Sequence, residues 1–125
     1  MNKIERRNGK SGFTLIEIIA VLVILAVLAA VAIPQYIDLM TNARQSALQG
    51  AIATGQSQCS LAYGSLILAG GAVPGESAIA TAAQAALATA TDFTYALAGV
   101  DGSGTISITA TDTSGASRVG AWTMP

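Results

Sequence analysis

Glu17 is the ionisable side chain whose position says most about chemistry in this 125-residue sequence. It stands between Phe13 and the unbroken apolar run Ile18–Ile33, so its carboxylate is the only charge in a long hydrophobic segment. A charge that leaves water is costly unless an opposite charge or hydrogen-bond donors replace its hydration. The placement therefore predicts that Glu17 pairs with an opposite charge in an apolar setting.

The other residues offer little to catalysis. The sequence has no histidine, which removes the commonest general base and metal ligand, and it has neither a glycine-rich phosphate loop nor paired cysteines. Its one cysteine, Cys59, is expected to be a small buried residue on a helix. We expect no catalytic residue, no cofactor and no metal.

One stretch could bind calcium. Asp101-Gly102-Ser103-Gly104, together with Asp112, would offer oxygen ligands to Ca²⁺. The stretch is too short and too poor in carboxylates for an EF-hand, so a hairpin turn is the simpler interpretation.

The segment that holds Glu17 is long enough to cross a membrane. Phe13–Ile33 has 21 residues, which as a helix cover roughly 30 Å, the thickness of a bilayer core. Its fourteen Leu, Ile, Val and Phe residues sum to roughly −6 kcal/mol on the insertion scale, which outweighs the cost of one acidic residue. Lipid offers no partner to backbone N–H and C=O groups, so the segment is predicted to be a helix although many of its residues are β-branched.

The charges before this segment predict its orientation. Lys3, Arg6, Arg7 and Lys10 outweigh Glu5, and such an excess of positive charge stays in the cytoplasm. The C-terminal part of the chain is then expected outside. From residue 13 onward two arginines face six carboxylates, a side-chain net charge of −4, so no basic surface for nucleic acid is evident.

The run KSGFTLIEIIAVLVILAVLAAVAIP resembles the N-terminal signature of type IV pilins and of the pilin-like subunits of type II secretion systems. The likeness lies in a short basic leader that ends at Gly12, followed by Phe13, Glu17 and Pro34. It extends over roughly residues 9–38 and is absent beyond them.

The resemblance implies a sequence of events. A membrane prepilin peptidase would cleave between Gly12 and Phe13 and methylate the new amine of Phe13, leaving a mature chain of 113 residues. The mature chain would polymerise with other copies at an inner-membrane assembly platform, with its apolar helix, including Pro34, at the centre of the filament. Pro34 is expected to bend the helix without ending it.

Cleavage would also supply the cation that Glu17 needs. The amine of Phe13 and the carboxylate of Glu17 would lie four residues apart on one helix, about 6 Å along its axis. Between staggered copies, the Phe13 amine of one would meet Glu17 of its neighbour and set the register, as polar residues do in coiled coils. The alternatives are that Glu17 pairs with its own terminus or that it is a chance polar residue near the membrane interface.

The same stretch also fits other forms of export. Ala30-Val31-Ala32 satisfies the rule for an ordinary signal peptide, and cleavage after Ala32 would release a soluble protein of 93 residues. The apolar run exceeds the usual h-region, and this alternative leaves Gly12-Phe13 unexplained. An uncleaved single-span anchor is a further alternative.

Beyond Pro34 the period of a helix continues. Polar residues recur at helical spacing, which predicts an amphipathic half-helix over residues 35–66: Asp38, Asn42, Gln45, Gln49, Gln56 and Ser60. Gly70–Gly75 reads as a turn, and Ser77–Ala90 as a short alanine-rich helix. Three short strands follow: Phe93–Leu97, Thr105–Thr109 and Val119–Thr123.

These elements predict an α+β fold in which a long N-terminal helix packs on a small antiparallel sheet, the type IV pilin-like fold that the resemblance also implies. The expected organisation is a cleaved leader (1–12), a transmembrane and assembly helix (13–34), an amphipathic half-helix (35–66) and a small C-terminal α+β domain (67–125). With one cysteine, the chain lacks the disulfide that closes the C-terminal loop of many pilins.

The expected function is therefore structural. The chain is expected to be a subunit of a type IV pilus-like filament, first inserted in the bacterial inner membrane and later part of an extracellular or periplasmic filament. Its expected partners are copies of itself, the prepilin peptidase and methyltransferase, the assembly platform and, before assembly, membrane lipid. A pseudopilin of a type II secretion system is the alternative, and an enzyme is an outlying one.

Overall fold

The computed structural model describes residues 12–125, so the expected leader, apart from Gly12, lies outside the described residues. The elements follow in the order α1 (Leu15–Gly70), α2 (Glu76–Leu87), β1 (Phe93–Gly99), β2 (Thr105–Asp112) and β3 (Ser117–Thr123). The chain divides into two compact units, one that ends at Met40 and one that spans Thr41–Pro125. The predicted α+β class, with a long N-terminal helix, a short helix and a three-stranded antiparallel sheet, is confirmed.

Helix α1 continues past Pro34 and past residue 66, where the sequence analysis expected it to end. Pro34 lies inside it and does not end it, as predicted. The helix ends at Gly70, several residues beyond the expected limit of 66. Gly71, at φ 66°, turns the chain into the left-handed region, and its N–H donates to the Ile67 carbonyl at 2.8 Å, which caps the last turn.

The three strands form one sheet in the order β1-β2-β3, with both pairs antiparallel. Each strand is longer than its sequence signal. Ala98 and Gly99 join β1 because Ser107 and Ile106 lie opposite them in β2, and Ser117 and Arg118 join β3 in the same way. Pairing with a neighbour outweighs the weak strand preference of these residues.

The core of the second unit lies between one side of α1 and one face of the sheet. The α1 side is formed by small and medium residues: Leu48, Ala51, Ile52, Gly55, Cys59 and Ala62. Cys59 is fully buried and unpaired, as the sequence predicted. From the sheet, Ile106, Ile108 and Ala110 are fully buried, and α2 contributes Ile79 and Ala83.

Two residues of the predicted polar stripe face the sheet edge rather than only water. Gln56 donates from Nε2 to the Ala121 carbonyl at 2.8 Å, and the Ser60 hydroxyl accepts from the Trp122 indole N–H at 2.9 Å. The Trp122 ring also lies 6.0 Å from the Tyr63 ring, centroid to centroid. The buried indole of Trp122, in β3, thus packs against α1, and its one polar atom, Nε1, has a hydrogen-bond partner.

Candidate processing and assembly site

Gly12 and Phe13 lie immediately before α1, in a segment without regular structure. Both residues are exposed, and the Phe13 side chain is 84% exposed. The peptide bond between them is therefore outside the helix, where a protease reaches a backbone in extended form. The first helical residue, Leu15, follows two positions after Phe13.

The helix begins with a pair of residues that cap it. The Glu17 Oε2 atom accepts hydrogen bonds from the Thr14 main-chain N–H and from the Thr14 hydroxyl, both at 2.8 Å. In return the Glu17 N–H approaches Thr14 Oγ1 at 3.4 Å. This is a capping box, in which Thr14 and Glu17 satisfy donors that the first helical turn leaves without intrahelical partners.

The capping box leaves part of the carboxylate available. A carboxylate has two oxygens and about four acceptor positions, and both Thr14 bonds fall on Oε2. The donors belong to Thr14 itself, so cleavage before Phe13 would leave them in place. Glu17 Oε2 can therefore keep its hydrogen bonds from Thr14 while Oε1 accepts a hydrogen bond from a cation.

Sequence reasoning on Glu17 missed the role of Thr14. The signal was present, because Thr14-Leu15-Ile16-Glu17 before an apolar run is the capping-box pattern. The pattern predicts that the Thr14 side chain and the Glu17 carboxylate each accept from or donate to the other residue at the start of the helix.

The surface that follows Glu17 is apolar and uncovered. Within the described residues, α1 is the helix that is long and apolar enough to cross a membrane, and its apolar part up to Ile33 is not buried within the chain. Its large exposed side chains run from Ile18 to Ile33, past Pro34, to Leu39. A helix that exposes this much apolar surface requires lipid or other apolar helices around it.

The residues considered for calcium are separated rather than joined. Asp101 precedes β2 and Asp112 ends it, so the two carboxylates lie at opposite ends of that strand. Asp112 Oδ1 accepts from the N–H groups of Ser114 and Ala116, which makes it part of the β2–β3 turn. Among residues 12–125 no group of three or more metal-ligating side chains occurs.

Asp101 instead takes part in a clasp that ties the start of α2 to the β1–β2 loop. Its Oδ1 and Oδ2 accept from the Ser77 N–H at 2.8 Å and the Ser77 hydroxyl at 3.0 Å. From the other side, the buried Glu76 carboxylate accepts from the N–H groups of Gly102 at 2.9 Å and Gly104 at 2.6 Å. The sequence did not point to Glu76, whose partners lie 26 and 28 positions away.

The clasp also explains the titration of its carboxyl groups. Hydrogen bonds from the main-chain N–H groups of Glu76 itself, Gly102 and Gly104 hold the pKa of Glu76 below its ordinary value, against the opposing effect of nearby Asp101. The N–H and then the hydroxyl of Ser77 lower the pKa of Asp101 in the same way. Both groups are therefore ionised at neutral pH.

Comparison with known proteins assigns the N-terminal segment. The family model of the prokaryotic N-terminal methylation motif matches residues 7–33, which include Gly12, Phe13 and Glu17. No curated protein and no solved structure matches the chain. The motif supports a pilin-like or pseudopilin substrate of prepilin peptidase. The chain therefore carries the prepilin signature of type IV pilins and pseudopilins.

Proposed function

We propose that this chain is the structural subunit of a type IV pilus-like filament. The observation that carries the proposal is the exposed apolar surface of α1 after Phe13, which has a single carboxylate, Glu17, at its start. Lipid would cover this surface in the precursor, and the helices of neighbouring copies would cover it in the filament. The precursor would lie in the bacterial inner membrane with its N-terminus in the cytoplasm.

Processing is the first step of the proposal. Prepilin peptidase would cleave between Gly12 and Phe13, and the Phe13 amine would be methylated. The exposed, non-helical position of both residues supports this step. The other candidate, cleavage after Ala32, would fall inside α1.

Mass spectrometry of the mature chain separates these cleavage sites. We expect a chain that begins at Phe13 with one additional methyl group, and no cleavage in Gly12→Val. A Cβ at Gly12 would meet no other atom of the chain within 4 Å, so valine would not disturb the structure of the precursor. A loss of cleavage would then mean that the peptidase does not accept the branched side chain. Gly9→Val is the control and should be processed. A mature chain that begins at Ile33 would contradict the proposal.

Assembly is the second step. The Phe13 amine of an incoming copy would pair with the free Oε1 of Glu17 in a copy already in place. The apolar surroundings make an unpaired charge costly, so this pair would favour one axial register over its neighbours. Pro34 would let the helix bend and so follow the helices around it.

Three substitutions separate the charge of Glu17 from its capping role. Glu17→Gln keeps a side-chain oxygen for the Thr14 donors but removes the charge, whereas Glu17→Leu removes both. Thr14→Val removes the capping hydroxyl and keeps the charge. We expect normal cleavage in all three, and filament numbers lowered on the order of a hundredfold in both Glu17 variants but not in Thr14→Val.

Filaments are counted by electron microscopy. Glu17→Asp, which keeps the charge with a shorter reach, should restore part of the count. Normal filament numbers in Glu17→Gln would show that capping and apolar packing suffice and that no charge pair sets the register.

The motif is common to pilins and pseudopilins, so a pseudopilin that builds a short periplasmic piston is the alternative function. It uses the same processing and the same helix. Neighbouring genes would distinguish the two: a gene for a retraction ATPase favours a pilus, and genes for a secretin and other secretion components favour a secretion pseudopilus.

A further inference from the structure

The three-stranded sheet has two edges, and one is closed by a side chain of α2. The Gln84 amide donates to the Tyr95 carbonyl at 2.7 Å and accepts from the Leu97 N–H at 2.9 Å. Both main-chain groups belong to the outer edge of β1. The amide of Gln84 thus occupies the place where another strand would pair.

The edge formed by β3 is closed at one end only. Gln56 reaches the Ala121 carbonyl, which shows that this carbonyl points away from β2. Main-chain groups of alternate residues in a strand point to the same side, so those of Ser117 and Val119 also point away from β2. Within residues 12–125 no backbone group outside the sheet bonds to them, and the Val119 side chain is 65% exposed.

This open edge lacks two of the usual obstacles to pairing, a proline and a bulge. Ser117–Ala121 has no proline, and its register with β2 runs without a bulge. Its one charged residue is Arg118, which is exposed and has no ion-pair partner among the described residues. An exposed edge of this kind takes up extended segments by strand addition.

A second copy of β3 is a poor occupant. If two β3 edges paired antiparallel through Ser117 and Val119, Arg118 of one copy would lie directly opposite Arg118 of the other. Like charges in that position are destabilising. A register shifted by one pair would centre on Val119 and require the Ala121 carbonyl, which Gln56 already occupies.

We propose that the β3 edge, Ser117–Ala121, docks an extended segment of another protein that places a carboxylate opposite Arg118. The main-chain groups of Ser117 and Val119 would supply the hydrogen bonds. Arg118 would select an acidic residue, and exposed Val119 would favour a β-branched neighbour on the other face of the added strand. The proposal does not depend on filament assembly, since it concerns residues of the second unit alone.

Two synthetic peptides test this docking on the full-length, isotope-labelled chain in detergent micelles. Both are short, blocked peptides of alternating threonine and valine, one with aspartate and one with lysine at the centre. At low salt we expect the aspartate peptide to shift the amide resonances of Ser117–Ala121 and to bind on the order of tenfold more tightly than the lysine peptide.

Charge reversal at the edge should reverse this preference. Arg118→Glu is expected to bind the lysine peptide better, Arg118→Gln to bind both equally, and Arg7→Glu, the same change in the N-terminal segment before α1, to behave as wild type. The proposal is overturned if neither peptide binds, if both bind wild type equally, if the shifts map outside Ser117–Ala121, or if Arg118→Glu still prefers aspartate. A wild-type dimer paired through β3 would overturn it as well.

Discussion

At the residue scale, two glycines set how closely α1 approaches the sheet. A Cβ at Gly55 would lie 2.7 Å from Cγ2 of Ile108, and a Cβ at Gly120 would overlap Cγ2 of Ile52. Each glycine thus receives an isoleucine from the opposite element. The small residues that the sequence concentrates on α1 are used at this point for close packing.

Gly55→Ala should therefore destabilise the protein, although alanine is the better helix former. Overpacking costs about 1–3 kcal/mol, which exceeds the roughly 0.5–1 kcal/mol that alanine gains over glycine within a helix. Gly50→Ala is the matched control on the same helix, because its Cβ would meet nothing within 4 Å, and it should raise stability. Thermal melts of both variants check the sign. Equal shifts in one direction would mean that Ile108 moves aside freely.

At the element scale, the clasp joins the start of α2 to the β1–β2 loop. Gly75 precedes α2 and supplies no capping side chain, so Asp101 provides the missing acceptor from the loop. In turn, the Glu76 carboxylate accepts hydrogen bonds from the N–H groups of Gly102 and Gly104 in the loop. Its negative charge also interacts favourably with the dipole at the N-terminus of α2. This mutual hold ties two segments that lie 24 to 28 positions apart in the sequence.

The clasp predicts how stability depends on pH. Both carboxyl groups have a lowered pKa in the folded chain, so they bind protons more readily when the chain is unfolded. Their contribution is present above the ordinary values, 4.5 for Glu76 and 3.8 for Asp101, and is lost as the pH falls through the lower folded values. When the melting temperature is measured from pH 7 down to pH 2, it should decrease once the pH is below these ordinary values.

Glu76→Gln should flatten this fall, since an amide does not titrate there. Its one oxygen can replace only one of the two acceptor oxygens of Glu76, so stability at neutral pH should also be lower. Asp92→Asn is the control, because Asp92 lies outside the clasp and is exposed. An unchanged slope in Glu76→Gln would assign the acid sensitivity to other carboxyl groups.

At the scale of the whole molecule, the buried core lies entirely in the second unit. The buried hydrophobic residues of the described chain run from Leu48 to Trp122, so residues 12–34 contribute none of them. Removal of those residues takes away the apolar surface of α1 and leaves the core in place.

A fragment of residues 35–125 should therefore be a soluble, folded α+β monomer. Its margin of stability is expected to be small, because a domain of about 90 residues buries a limited core. Circular dichroism should show a cooperative thermal transition. A shorter fragment, 67–125, loses the core residues of α1 and should not fold, and a non-cooperative melt of residues 35–125 would contradict the expectation.

Much of the fold was readable because it follows from local patterns. The apolar run predicts the first half of α1, the polar spacing predicts its continuation past Pro34, and alternating β-branched residues predict three strands. The ends of these elements were less well predicted. The end of α1 depends on the cap that Gly71 forms. The ends of β1 and β3 depend on which residues of β2 lie opposite them.

The sequence by itself determined that the chain carries the prepilin signature and an apolar helix of spanning length, because both lie within one continuous segment. The capping box of Thr14 and Glu17 was readable for the same reason. Only the tertiary structure decided that Glu76 holds the β1–β2 loop, that Gln84 closes one sheet edge and that Arg118 stands on an open one. These contacts join residues that are far apart in the chain. Residue types and local spacing do not indicate which distant backbone group a side chain contacts.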